Sequence, residues 1–165
     1  MSVIAVKIYE RFYEIASDSI IVRGYTKTGD NVKSTKLFEE NEVVVGSSGT
    51  ARDIGLFRLF LKTHKPSSAT EEGILDLFSE FSDWKKKKTD SYGTENVFII
   101  GYKDKVFKFN DFYIDEVVSY EAIGAGMDYA LGVLHYGGNV EDAVNAAIKF
   151  SIYCDSPAII IRKEK

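Results

Sequence analysis

Hydrophobic and polar positions along the chain fall into blocks of two different periods. Val3 to Tyr9 and Phe12 to Ala16 are rich in β-branched and aromatic residues and flank the polar pair Glu10-Arg11, which predicts a hairpin. Ile20 to Arg23 and Val43-Val44-Val45 add further β-rich segments. The period then lengthens. Thr50 can cap a helix with Asp53 at its third position, and Ile54, Phe57 and Leu61 follow at helical spacing. Ser68-Ala69-Thr70-Glu71 reads as a capping box ahead of Ile74, Leu75, Phe78, Phe81 and Trp84, which share one helical face. Four lysines, Lys85 to Lys88, close that helix, where positive charge suits the dipole and hydrates easily. A second β-rich set covers Val97 to Tyr102, Val106 to Phe109 and Phe112 to Val118, with Lys103-Asp104-Lys105 as a turn. Met127 to Tyr136 then stops at Gly137-Gly138, and Asn139 caps a fourth helix whose Val140, Ala143, Val144, Ala147 and Ile148 form an apolar stripe. Ala158 to Ile161 is a last, fully apolar strand. Helices are thus expected near 52–62, 70–88, 126–136 and 140–153. The order of strands, two helices, strands, two helices and a strand implies two sheets packed together with a helix pair outside each.

Composition narrows the class. At 165 residues, 45% hydrophobic and 13% aromatic, the chain is expected to form one domain over 1–165 with a sizeable core. A net charge of −4 spread over both signs gives no basic footprint for nucleic acid. The single cysteine, Cys154, reads as a reduced, partly buried thiol. No charged-then-apolar leader opens the chain and no apolar run approaches a membrane span, so a cytoplasmic protein without membrane attachment is expected. His64 and His135 belong to no metal-like or triad-like cluster, and no glycine loop with a lysine is present to cradle phosphate. No metal or cofactor is therefore expected.

The chemistry lies at the start of the chain. Methionine is readily removed before a small residue, and Ser2 would then carry both a hydroxyl nucleophile and a free α-amine. With an unperturbed pKa of about 7.7–8.0, that amine can take the hydroxyl proton and return it to a leaving group. Asp18 follows Ser2, Lys33 follows Asp18, and Ser48-Gly49-Thr50-Ala51 leads into the first helix. Further on come Ala122-Ile123-Gly124-Ala125-Gly126 and the stretch from Ala147-Ile148 to Asp155. In order and separation these residues resemble the proteasome β-subunit family, especially its bacterial peptidase subunit HslV.

The resemblance covers essentially the whole chain and implies an α+β fold, the four-layer α/β/β/α sandwich of N-terminal-nucleophile hydrolases. It implies peptide-bond cleavage by Ser2, with Asp18 and Lys33 as an ion pair beside the hydroxyl. Lys33 would disfavour protonation of the amine and stabilise charge on the oxygen, and Asp18 would orient it. Gly49 would offer its N–H to the oxyanion, and Asp155 would hydrogen-bond the amine or hydroxyl network. The implied partners are a peptide or unfolded-protein substrate, further copies of the chain in a ring that encloses the sites, and a separate ATP-dependent unfoldase.

Three positions depart from the family pattern. Ser2 replaces a threonine and lacks the methyl that restricts its rotamer, while Ala125 and Ala158 stand where the family has serines that support the amine. Ile4-Ala5-Val6-Lys7 also admits an alignment that puts Met1 in the nucleophile position. Two classes of function follow: an active peptidase, and a catalytically silent subunit that uses the same sandwich for assembly.

Overall fold

The computed structural model describes residues 2–27 and 36–165, so Lys33 lies outside the described residues. In chain order the elements are strands β1 (Ile4–Ile8), β2 (Phe12–Ser17), β3 (Val22–Arg23), β4 (Thr26–Lys27), β5 (Leu37–Glu40) and β6 (Val43–Ser48), then helices α1 (Ala51–Leu61) and α2 (Glu71–Thr89). Strands β7 (Val97–Tyr102), β8 (Lys105–Asn110), β9 (Tyr113–Glu116) and β10 (Tyr120–Ile123) follow, then α3 (Met127–His135), α4 (Val140–Phe150) and β11 (Ile159–Glu164).

The strands form two antiparallel sheets, in the orders β10-β1-β2-β11 and β5-β6-β7-β8-β9, beside a small β3-β4 ribbon. Side-chain alternation along β1 explains how they stack. Val3 and Ala5 join the core under α3 and α4, which is lined by Ala130, Leu134, Val140, Ala143, Val144 and Ala147. Ile4 and Val6 point the other way, into a core between the two sheets shared with Tyr13, Ile15, Val44, Ile99 and Val106. The outer face of the second sheet, through Val43, Val45, Phe98, Ile100, Phe107 and Phe109, packs on α1 and α2. This is the four-layer α/β/β/α sandwich expected from the sequence, with the first hairpin and the Val97–Val118 region in facing sheets. Close approach of the sheets depends on Gly46 in β6, where a Cβ would lie 2.5 Å from Ile4 Cγ2.

Several local expectations shift. The capping box at Ser68 is not formed: Thr70 is the N-cap of α2 and accepts from Gly73 N at 3.1 Å, while Ser68 bonds to the Thr70 hydroxyl at 2.7 Å. Lys85 is not a solvated lysine. It is 2% exposed, and its ammonium lies 2.7 Å from Asp53 Oδ2 in α1 and 2.7 Å from Gly93 O. Phe112 to Val118 is not one strand either. Asp111 and Phe112 have positive φ and make the β8–β9 turn, and the chain leaves the second sheet after Val117 N bonds Val106 O at 2.8 Å. It joins the other sheet where Ile8 N reaches Ser119 O at 2.7 Å, and β10 then pairs with β1. Strand β5 carries no clear β pattern because its sequence runs into the acidic stretch Glu39 to Glu42, and α4 ends at Phe150 rather than 153. The cap of α1 is as expected, with the Thr50 hydroxyl accepting from Asp53 N at 3.4 Å.

Candidate active site

Asp18 stands just past the end of β2 and is 1% exposed. Its Oδ1 accepts from Val3 N at 2.9 Å and its Oδ2 from Ile20 N at 3.2 Å and Asp155 N at 3.3 Å. A backbone bond from Asp18 N to Val3 O, at 3.3 Å, closes the same corner. The cation that completes this arrangement is Lys36, whose Nζ lies 2.9 Å from each carboxylate oxygen and which is 8% exposed. Burial draws the Lys36 pKa below the ordinary lysine value, and the Asp18 charge and hydrogen bond offset part of that pull. Sequence reasoning missed Lys36 because only spacing was available to choose among the lysines after Asp18. The signal that identifies it is its place immediately before β5, where Lys36 O accepts from Ser47 N at 2.9 Å.

Ser2 is buried and adjoins this pair through the Val3 N–H. Its carbonyl accepts from Gly126 N at 3.1 Å. Gly124, at φ +92°, comes so close that a side chain there would overlap the Ser2 carbonyl oxygen and reach within 3.0 Å of Ser48 Oγ. A Cβ at Gly126 would lie 2.8 Å from Cys154 Sγ and 2.8 Å from Ala147 Cβ. The Gly-Ala-Gly turn thus lets β10 and α3 close over the Ser2 main chain, with Ser48 Oγ close to the same Gly124. Ala125 lies within this turn, and Ala158 packs against the α3/α4 core.

Gly49 follows Ser48 at the end of β6, with φ +143°. Its N–H makes no hydrogen bond among the described residues. Asp155 reaches the site by its main chain: its N–H bonds Asp18 Oδ2, and its carbonyl accepts from Ser19 N at 3.0 Å. Its carboxylate turns outward to Lys27 Nζ at 2.6 Å, and that hydrogen bond, with one from Ser156 N, holds it below the usual aspartate range. Cys154 is a free, buried thiol, as expected, and burial together with the Asp18 charge pushes its pKa up. No cluster of metal-ligating side chains occurs among the described residues, and no helix there is long and apolar enough to cross a membrane.

Two facing antiparallel sheets between helix pairs are the fold that the chain shares with solved structures of HslV-type, proteasome-like peptidases. Among solved structures the chain is similar to Thiobacillus denitrificans BPH in complex with epoxomicin, with a TM-score of 0.85 and 19% identity over 98% of both chains. The same protein without that compound gives 0.85 and 18% identity over 98% of this chain and 97% of that one. Eukaryotic HslV from Trypanosoma brucei gives 0.74 and 15% identity over 99% of each chain. At such identities the likeness is one of fold. No protein-family model matches the sequence, and no curated protein matches it either.

Proposed function

We infer that the chain is an N-terminal-nucleophile peptidase subunit that cleaves peptides or unfolded protein with the Ser2 hydroxyl, after loss of Met1, inside a ring of like subunits in the cytoplasm. The observation that carries this reading is the Asp18 carboxylate, which bridges the Lys36 ammonium and the N–H of Val3, the residue that follows Ser2. The freed α-amine takes the hydroxyl proton as Ser2 Oγ attacks the scissile carbonyl. Lys36 keeps that amine neutral and stabilises charge on the oxygen, the role the family resemblance assigned to Lys33. Gly49 N–H, unpartnered among the described residues, receives the oxyanion. Collapse of the tetrahedral intermediate passes the proton from the amine to the leaving amide nitrogen and leaves an ester on Ser2, which water hydrolyses with the α-amine again as base. Asp155 contributes through its backbone by orienting Asp18. The chain offers no nucleotide loop, so a separate ATP-dependent unfoldase would deliver folded substrates.

A second reading, a silent assembly subunit, is favoured by Ala125 in the turn over Ser2 and by the outward carboxylate of Asp155. One set of measurements separates the two. Intact mass should show Met1 absent, a fluorogenic peptide should be hydrolysed, and Ser2→Ala should abolish hydrolysis while leaving assembly intact. Epoxomicin, the compound in the T. denitrificans BPH complex, should bind the wild type and not Ser2→Ala. Retention of Met1, with neither hydrolysis nor binding, establishes the silent subunit.

A further inference from the structure

We propose that Asn96 is a positioning residue for the oxyanion, holding the Ser48-Gly49-Thr50 turn so that the Gly49 N–H faces the reacting carbonyl. The assignment rests on the Ser2 peptidase reading above and adds a residue outside the set the sequence suggested.

Asn96 lies just before β7, is wholly buried, and uses both ends of its amide on one turn. Its Oδ1 accepts from Thr50 N at 2.8 Å and from Thr50 Oγ1 at 3.3 Å. Its Nδ2 donates to Thr50 O at 3.1 Å and to Ser47 Oγ at 3.3 Å. The side chain therefore clasps the peptide units on either side of Thr50 and ties them to β6 through Ser47. Gly49 sits directly on this amide, since a Cβ at Gly49 would overlap Asn96 Oδ1 and lie 2.9 Å from Asn96 Cα. With φ at +143°, Gly49 is in a region where only glycine is unstrained, and neighbouring anchors must hold it there. With the Thr50 N–H taken up by Asn96, Gly49 N–H is left as the donor of this turn that has no partner among the described residues. Asn96 is itself fixed by its own N–H, which donates to Thr94 Oγ1 at 3.1 Å, in the loop whose Gly93 carbonyl holds Lys85.

A donor of this kind works only if it is preorganised, and removal of a direct oxyanion donor typically costs about 10²–10³ in kcat. Loss of a support one residue away should cost less. Asn96→Ala is expected to lower kcat about 10- to 100-fold with KM changed less than about threefold. Ser47→Ala removes one anchor of the Asn96 amide and almost no volume, so it should fold, and it is expected to lower kcat a few-fold. Two probes read the cause: a peptide aldehyde, whose hemiacetal oxygen occupies the oxyanion position, and the corresponding peptide alcohol, which binds without forming one. Aldehyde affinity should fall in step with kcat/KM in both variants, while alcohol affinity stays near the wild-type value. A structural role alone would weaken both probes together. If Asn96→Ala fails to fold, Ser47→Ala decides by the same criterion. Unchanged kcat, or lost kcat with unchanged aldehyde affinity, in an otherwise active protein overturns the Asn96 assignment and leaves the Ser2 reading standing. A wild type that neither hydrolyses peptide nor takes the aldehyde overturns both.

Discussion

At the scale of single residues, the site turns on one buried cation. Lys36 keeps its charge because Asp18 offers it both oxygens, while the backbone N–H groups of Val3, Ile20 and Asp155 hold the carboxylate in place. Lys36→Met should abolish hydrolysis, because it removes the cation that Asp18 holds while keeping a side chain of similar length. Lys33→Met is the control, and hydrolysis by that variant at the wild-type rate is the expected result. Titration gives an independent check. The lowered pKa of Lys36 means that the ammonium is lost before an ordinary lysine titrates, at about 10.4. Hydrolysis should therefore fall on an alkaline limb that begins below that value. Stability moves the other way, since the unfolded chain binds the proton more tightly and folding is relatively favoured as pH rises between the folded and unfolded values. Circular dichroism across the same range should show an intact fold while kcat declines; unfolding that tracks the rate loss would remove Lys36 as its cause.

Elements are joined beneath the Gly49 turn by a second buried pair. Asp53 in the first turn of α1 meets Lys85 in the last turns of α2, with Gly93 O taking another ammonium proton. Both side chains are almost wholly enclosed, so truncating either leaves an uncompensated charge. Lys85→Met should cost about 3–5 kcal/mol in denaturant unfolding. The Asp53 pKa is depressed: burial acts to raise it, and the hydrogen bonds from Lys85 and Thr94 and the lysine charge outweigh that effect. Its contribution is thus present above the unfolded aspartate value of about 3.9 and is lost as pH falls through the lower folded value. Wild type should lose part of its stability over that acid interval, and Asp53→Asn should lose less of its own there. Equal acid sensitivity of the two proteins would show that the pair contributes nothing.

Over the whole molecule, the interval between the sheets sets where Ser2 sits relative to Gly49. Gly46 lets Ile4 lie directly against β6, so Gly46→Ala should push the sheets apart and cost about 1–3 kcal/mol, with a larger proportional loss of hydrolysis than of stability. A thermal shift with full retained kcat would show that the spacing is not needed for chemistry. Assembly is the other property of this scale. Tyr129 and Phe150 stack at 5.9 Å on the exposed face of α3 and α4, beside exposed Tyr136. Subunits that join in a ring bury such faces against one another. Light scattering at micromolar concentration should give a multiple of the chain mass, and a strict monomer would exclude a self-compartmentalising peptidase.

The local periods of the chain were enough to determine the helices and most of the strands, and from their order the two sheets and two helix pairs. Hydrophobic alternation is a short-range property, and Ile54, Phe57 and Leu61 or Val140, Ala143, Val144 and Ala147 declare their buried faces without help from distant residues. Ser2, Asp18 and Gly49 were named from their order and spacing, which resemble a known family, and the structure shows Ser2 and Asp18 buried next to Val3 and Gly49 at the end of β6. Lys36 and Asn96 were not. Each is an ordinary polar residue whose buried hydrogen bonds go to a partner 18 or 46 positions away, Asp18 in one case and Thr50 in the other. Lys85 read as a surface lysine because its three lysine neighbours do suit a solvated helix end, and only the packing of α1 on α2 places Asp53 opposite it. The break between β9 and β10 escaped for the same cause: the crossing to the first sheet is decided by the hydrogen bonds of Ile8 and Val106, not by the residues that cross. Periodicity records which face of an element is buried, whereas the identity of what it is buried against is fixed only when the layers close.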